Sequence, residues 1–411
     1  MYGKLRRVYW AVEALFLALR GRSLPRDRAP QKWLILGYAA IGDMVFLLPL
    51  LEALRRQYPE AHITFLCRSN PTTTELVPAT GLVDEIIAPA QEWEFVSAAE
   101  RAGLTRKLND AGYDAILLSL SSPAHFFQRA LVRIPIRVGH CRELIPPPHL
   151  KGLAALAWKL KHGVITGEFS RRLLLTHKTW IRPDWEHSVK RNMRLLESLG
   201  IAFDSTPPRP KIPLPPSARE KVKNMLGART RAKRVGIHLG IMNNPYFKIW
   251  PSERFGRLCR LLEDAGQVEC FFLGGAEESS SVTAARQAAG REIPSLVGRC
   301  SLLESFAAIE QCDLLISNDT GMAKAAMALG IATATIWGPT EPAELGILWE
   351  AEKHLEIKTG IFCQPCVFAG MAYARAAIDY ANCGNHDCLA QMTVETVFSA
   401  LRRKYPFLSR P

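Results

Sequence analysis

The chain has 411 residues, 48% of them hydrophobic and 22% charged, with a formal net charge of +13. That length suits two domains, not one, and that balance excludes a disordered chain. Two stretches, 1–30 at net +5 and 137–194 at net +8, carry the whole excess, which excludes a uniformly basic protein and points to anionic partners at two places.

The elements alternate from the start. Within 1–30, Tyr9, Val12, Leu15, Phe16 and Leu19 recur at helical spacing between Arg6–Arg7 and Arg20–Arg22. This reads either as a basic amphipathic helix lying on a membrane surface or as a helix packed on the protein body. No apolar run is long enough to span a bilayer, and no signal-peptide cleavage site follows. Residues 33–37 read as a buried strand, followed by a helix to about Gln57. Strands at 62–67, 84–88 and 115–120 follow, with a helix near 98–111 between the last two. Residues 140–185 break the rhythm with Pro146–Pro148 and a basic amphipathic run at 150–162. A helix resumes near 186–199.

Residues 205–217 hold six prolines in thirteen positions and read as a stiff connector. Beyond it come strands at 234–239, 268–273, 314–317 and 333–337, and helices at 252–265, 277–289, 302–311, 321–329 and 394–404. The expected architecture is α/β with two doubly wound domains. It runs as an N-terminal helix (1–30), a first domain (31–204), a connector (205–232), a second domain (233–390) and a closing helix (391–411). Ligands of such domains bind at the carboxyl ends of the strands.

Five turns at strand ends carry candidate chemistry. Gly37 to Gly42 leads to Asp43, which reads as a helix cap or as a carboxylate at the mouth of a cleft. The turn Ser317-Asn318-Asp319-Thr320-Gly321 opens a helix whose free N–H groups suit a phosphate, with Lys324 one turn in. The long loop from Gly240 to Trp250-Pro251 carries Lys248 as its one charge. Gly274-Gly275 precedes Glu277 and Glu278, placed either to hold ribose hydroxyls or to cap a helix. Trp337-Gly338-Pro339-Thr340 forms a rigid turn on the same sheet edge.

Among ten cysteines, Cys363, Cys366, Cys383 and Cys388 cluster, with Cys-x-x-Cys spacing in the first pair. A structural metal, a disulfide and free thiols in a reducing cytoplasm all fit. Aromatics do not interleave the basic stretches as in nucleic-acid stacking modules, so no nucleic-acid partner is expected.

Taken in order, Ile41-Gly42-Asp43 with Pro49, Leu54-Arg55, Tyr58-Pro59, Lys248-x-Trp250-Pro251, Gly274-Gly275, Asn318-Asp319-Thr320-Gly321 and Gly338-Pro339-Thr340 resemble glycosyltransferase family 9, the lipopolysaccharide heptosyltransferase family. The resemblance implies a GT-B fold, two Rossmann-like domains facing across a cleft. It implies inverting transfer from a nucleotide-diphosphate sugar, ADP-heptose by family habit, to a lipopolysaccharide core or other anionic glycolipid, with neither metal nor other cofactor. It further implies Asp43 as general base. The donor is expected on Gly42, Lys248, Glu277 (or its neighbour Glu278), Asp319, Thr320, Gly321, Lys324, Gly338, Pro339 and Thr340. One departure stands out: the family carries His three residues after the turn glycine, where this chain has Lys324. Lysine can contact phosphate but cannot copy a neutral imidazole. The charge then places the protein in the cytoplasm, at the inner face of the bacterial inner membrane. A different nucleotide-sugar enzyme of the same fold, such as an epimerase, and a non-catalytic glycan- or lipid-binding homologue are the alternatives.

Overall fold

The computed structural model describes residues 29–37, 40–89, 97–119, 133–144, 146, 149–165, 168–181, 186–240, 248–266, 268–366, 383 and 387–408. The N-terminal amphipathic segment and residues 241–247 of the long loop lie outside them. The chain forms two compact units, one of residues 1–39 and 47–207, the other of residues 40–46 and 208–411.

In the first unit the described elements are β1 (Lys32–Leu36), α1 (Ile41–Gln57), β2 (His62–Leu66), β3 (Glu85–Ile87), α2 (Ala98–Asp110), β4 (Ala115–Leu118), β5 (Ile136–Arg142), α3 (Gly152–Ile165), α4 (Glu168–Leu174), β6 (His177–Ile181) and α5 (Ser188–Glu197). The six strands are all parallel, in the order β3-β2-β1-β4-β5-β6. This is the dinucleotide-fold order, which reverses between β1 and β4. Trp33, Leu34, Ile35 and Leu36 on β1 are all fully buried, as a central parallel strand covered on both faces requires. A capping box of Ser97 and Glu100 starts α2.

Residues 140–185 do not interrupt this sheet, contrary to the sequence expectation. They hold the end of β5 and the whole of β6. Strand β5 (IRVGHCR) is buried along its middle although it carries Arg137 and His140. Arg137 donates to the carbonyls of Leu174 and Ile134, which lets a charged residue sit 6% exposed. Strand β6 (HKTWI) is the edge, and its alternately exposed Lys178 and Trp180 hide its strand character from a search for apolar runs.

In the second unit the elements are α6 (Pro216–Leu226), β7 (Lys233–His238), α7 (Ser252–Ala265), β8 (Val268–Leu273), α8 (Ser279–Ala289), α9 (Leu302–Glu310), β9 (Leu314–Asn318), α10 (Gly321–Leu329), β10 (Thr333–Ile336), β11 (Leu355–Ile357) and α11 (Val394–Lys404). The five parallel strands run β11-β10-β9-β7-β8, the flavodoxin-like order, with the reversal between β7 and β9. Two elements were not foreseen. Helix α6 begins inside the proline-rich stretch, where Pro216 takes the first-turn position that needs no N–H. Strand β11 is only three residues long. Among the described residues no helix is long and apolar enough to cross a membrane.

Candidate donor site at the reversal point of the second sheet

The reversal between β7 and β9 leaves room above their carboxyl ends. The residues there are His238 at the end of β7, and Ser317, Asn318, Asp319 and Thr320 at the end of β9. Asn318 ties two loops together: its Oδ1 accepts from Trp250 N at 3.0 Å and its Nδ2 donates to Leu239 O at 2.8 Å. Trp250, fully buried, donates its indole N–H to Met392 O. These bonds fix where the long loop returns and therefore where Lys248 points.

Asp319 is the hub. Its side chain is 2% exposed. Lys248 Nζ stands 2.9 Å from one oxygen, Thr340 Oγ1 donates to the same oxygen at 2.7 Å, and Lys324 Nζ pairs with the other. Burial alone would raise the Asp319 pKa, but the two ammonium groups and their hydrogen bonds hold it well below the usual carboxylate range. Two cations share one anion, so the cluster keeps a net positive charge beside the first N–H groups of α10.

Thr320 caps α10, accepting from Ala323 N at 3.4 Å, and leaves the remaining first-turn N–H groups of the helix as anion donors. Gly321 leaves no room for a side chain unless its neighbours shift. A Cβ there would lie 2.7 Å from Ile41 Cβ and 2.9 Å from Gly42 N, and a Cβ on Gly42 would meet Lys324 Cδ at 2.7 Å. Residues 40–46 belong with the second unit, so the start of α1 packs against the start of α10 within one body. Lys324 Nζ also lies 5.8 Å from the centre of the Phe46 ring. Asp43 follows Gly42 directly. It is exposed and occupies the third position of α1, with Ala40 O accepting the first helical bond, so Asp43 sits inside the first turn and not at the capping position.

Of the adjacent acids, Glu278 is the one that turns in; Glu277 is exposed, its carboxylate against Gly275. Glu278 Oε2 accepts from Gly240 N at 3.0 Å, and Oε1 stands 3.2 Å from His238 Nε2. Burial opposes ionisation of Glu278, but His238 and the N–H groups of Gly240 and Gly275 outweigh it and lower its pKa. The other ring nitrogen of His238 lies 3.3 Å from both Ser317 Oγ and Thr320 Oγ1. His238 thus joins the acid to the helix cap. In the sequence it stands only as part of the strand expected at 234–239. A polar residue at the last position of a buried parallel strand was the signal that marked it.

Gly338 and Pro339 contribute backbone. Trp337 O and Gly338 O accept from Gln364 Nε2, and Pro339 O accepts from Cys366 N at 2.8 Å. This holds Thr340 against Asp319. Thr359 links Gln364 to the carbonyl of Cys388, so the turn carrying Cys363 and Cys366 and the helical turn of Cys388 form one knot behind the site. The four cysteines are free thiols, and burial pushes Cys388 up to about 11. Among the described residues no three His, Cys, Asp or Glu are placed to hold a metal ion.

The sequence-derived residues Gly42, Lys248, Asp319, Thr320, Gly321, Lys324 and Thr340 therefore converge. Glu278, not Glu277, joins them. Two lysines beside the first N–H groups of a helix at such a reversal point have the chemistry an anionic phosphate group would need, and two parallel-sheet α/β domains of this kind make up the GT-B fold. The family model for glycosyltransferase family 9 (heptosyltransferase) matches residues 144–370. The chain belongs to glycosyltransferase family 9 and is a glycosyltransferase. It is 24% identical over 324 residues to lipopolysaccharide heptosyltransferase 2 of Escherichia coli K12, covering 76% of this chain and 84% of that protein. It is also 24% identical to lipooligosaccharide heptosyltransferase 2 of Haemophilus influenzae, over 75% of this chain and 84% of that one. Among solved structures, the family 9 glycosyl transferase of Veillonella parvula superposes with a TM-score of 0.68 at 19% identity, covering 93% of this chain and 99% of that one. The Escherichia coli ADP-heptose lipopolysaccharide heptosyltransferase II superposes with 0.63 at 18% identity, covering 91% and 98%.

Proposed function

We propose that the protein transfers a heptose from ADP-heptose to a lipopolysaccharide core or a related anionic glycolipid, with inversion and without a metal ion. The single observation that carries this reading is the Lys248–Asp319–Lys324 cluster at the start of α10, packed through Gly321 on the turn that presents Asp43. The relatives named for heptosyl transfer support the choice of sugar and acceptor.

The acceptor hydroxyl loses its proton to Asp43 as its oxygen bonds to the anomeric carbon. The bond from that carbon to the diphosphate breaks on the opposite face, which inverts configuration. The nucleoside diphosphate leaves with an added negative charge. The N–H groups at the start of α10, with Lys248 and Lys324, meet that charge and do the work a divalent cation does elsewhere. Asp319 keeps both ammonium groups in place before the donor arrives, so the reaction pays no reorganisation cost. Glu278 is the acid placed for the ribose hydroxyls. Lys324 in the position of the family histidine works as a buried cation steered by Asp319, with Gly42 against its stem and its ammonium 5.8 Å from the centre of the Phe46 ring.

The acceptor-side unit supplies a surface suited to a bilayer. On α3, Leu153, Leu156 and Leu160 are 85%, 53% and 52% exposed, at helical spacing, with Lys159 and Lys161 exposed beside them. An apolar stripe edged by lysines suits an anionic membrane face and supports a peripheral position at the inner membrane, on the cytoplasmic side.

The test is a thermal-shift and transfer panel of ADP-, UDP- and GDP-sugars, with and without EDTA. ADP-sugars stabilising the protein and turning over in EDTA are expected. Stabilisation by UDP-sugars alone favours the epimerase or another transferase, and binding without turnover favours the non-catalytic homologue.

A further inference from the structure

His238 ends β7, which lies between β9 and β8, with Ser317 of β9 and Leu273 of β8 as its register partners. It is 5% exposed. Its two ring nitrogens reach the loops that follow both neighbouring strands. Nε2 stands 3.2 Å from Glu278 Oε1, beyond β8, and Nδ1 stands 3.3 Å from Thr320 Oγ1, beyond β9. The protons along this chain can be placed. Glu278, whose pKa is lowered despite its burial, is a carboxylate and only accepts, so Nε2 carries the ring proton and donates it. The neutral ring then offers Nδ1 as an acceptor. Ser317 Oγ, also 3.3 Å from Nδ1, donates its own proton to Asn318 O at 2.8 Å. Thr320 therefore supplies the proton on this side, shared between Nδ1 and Ser317 Oγ, the latter at 2.9 Å. That turns its hydroxyl inward and leaves a lone pair for Ala323 N at the start of α10.

Gly240 N, two residues beyond His238, gives Glu278 another donor at 3.0 Å, and a Cβ on Gly240 would lie 2.6 Å from the Glu278 carboxyl carbon. The end of β7 thus fixes the acid, and through one imidazole it fixes the helix cap as well. A histidine that served only the core could take both partners from one loop. This one takes them from the two loops that the donor reading assigns to ribose and to diphosphate. We infer that His238 is a positioning residue of the donor site. It touches no part of the donor; it sets Glu278 and the Thr320 cap at one fixed spacing, so that ribose and diphosphate are received together. The inference rests on the reading of Glu278 as the ribose acid and of the start of α10 as the diphosphate site. A linked ligand gains from such spacing because its second contact is made without a second loss of freedom. The ring serves the ribose half through Nε2 and the diphosphate half through Nδ1, so substitution can separate the two.

The experiment measures, by calorimetry on the full chain, the affinities for ADP, for dideoxy-ADP lacking both ribose hydroxyls, and for pyrophosphate. In His238→Gln the amide nitrogen can stand where Nε2 stands; in His238→Asn the amide oxygen can stand where Nδ1 stands. The wild type should prefer ADP over dideoxy-ADP by about tenfold or more, as hydrogen bonds to a charged group provide. His238→Asn should shrink that preference to about twofold or less and leave pyrophosphate affinity within about twofold. His238→Gln should keep the preference and weaken ADP and pyrophosphate alike, by about threefold to tenfold. A residue that only stabilised the unit would weaken all three ligands by one common factor in both variants. That result overturns the inference and leaves the donor reading standing, as does a preference unchanged in both variants. A wild type that binds ADP without regard to the ribose hydroxyls sinks the assignment of Glu278, and one that binds none of the three ligands sinks the donor site; the inference falls with either. Should neither variant fold, the wild type decides alone through its imidazole ¹⁵N resonances in mildly alkaline buffer. The expected ring carries its proton on Nε2, and a proton on Nδ1 overturns the inference.

Discussion

Replacing Asp319 by Asn should unfold the second unit well before the first. The carboxylate is 2% exposed and lies between two ammonium groups, one at 2.9 Å. At an effective dielectric of about 20, one such pair is a gross attraction of about 6 kcal/mol before desolvation. Removing one partner of a buried ion pair costs about 3–5 kcal/mol, because the remaining charge stays buried without compensation. Here two cations are stranded, and the amide turns a donor toward one of them. For a unit of this size about 3–5 kcal/mol corresponds to a fall in midpoint of about 6–20 °C. Differential scanning calorimetry reads this directly, and a second scan with saturating ADP adds a signature. The diphosphate brings the missing negative charge, so the ADP-induced rise should be larger in Asp319→Asn than in the wild type. The sign with pH follows from the lowered pKa of Asp319. Its contribution is complete above the unfolded carboxylate value of about 4 and falls away as pH drops below it. The variant should lack that acid-limb loss. A midpoint within about 2 °C of the wild type, with an equal ADP shift, would refute the claim that Asp319 organises the two lysines.

Gly321→Ala places a Cβ 2.7 Å from Ile41 Cβ and 2.9 Å from Gly42 N; we expect a cost of about 1–3 kcal/mol and weaker ADP binding, measured by thermal shift and calorimetry. Thr340→Val removes the 2.7 Å donor to Asp319 while keeping the shape, and should cost about 1.5–3 kcal/mol in denaturant titration. His354, buried beside Thr333 Oγ1 at 2.9 Å, has its pKa lowered by burial to about 4. The unfolded chain protonates it first, near pH 6.5, so stability is lost as pH falls from about 6.5 to about 4, by about 3 kcal/mol at most. His354→Gln should flatten that window; an unchanged pH profile would show that this histidine does not set it.

The strands built from apolar runs were legible in the chain because a central parallel strand is buried on both faces: β1, β4 and β9 read that way. Strands β5 and β6 were not, since Arg137 and His140 are polar residues buried by tertiary partners, and β6 is a half-exposed edge. Helix α6 was hidden by prolines that start it as readily as they break others. At the site, Asp319, Thr320 and Thr340 could be named because each follows closely on a strand end, and Lys248 because it is the one charge of the long loop after β7. What the sequence did not reveal was their pairing: both lysines converge on Asp319, a contact across 71 positions in one case. The choice between Glu277 and Glu278 is made by one short 3₁₀ turn that buries one acid and exposes its neighbour. His238 drew no notice, because its neighbours Ile237 and Leu239 make it look like core.

The central claim is that Asp43 deprotonates an acceptor while a cation cluster on the same body receives the leaving diphosphate. The most direct measurement is steady-state transfer from ADP-heptose to a truncated lipopolysaccharide core, in EDTA, for the wild type and Asp43→Asn, with ADP affinity measured on both. The account predicts turnover by the wild type, a loss of about 10²–10⁴-fold in kcat for the variant, and ADP dissociation constants that agree within about twofold. Asp43→Asn at full turnover, or a wild type that needs a divalent metal, would contradict it.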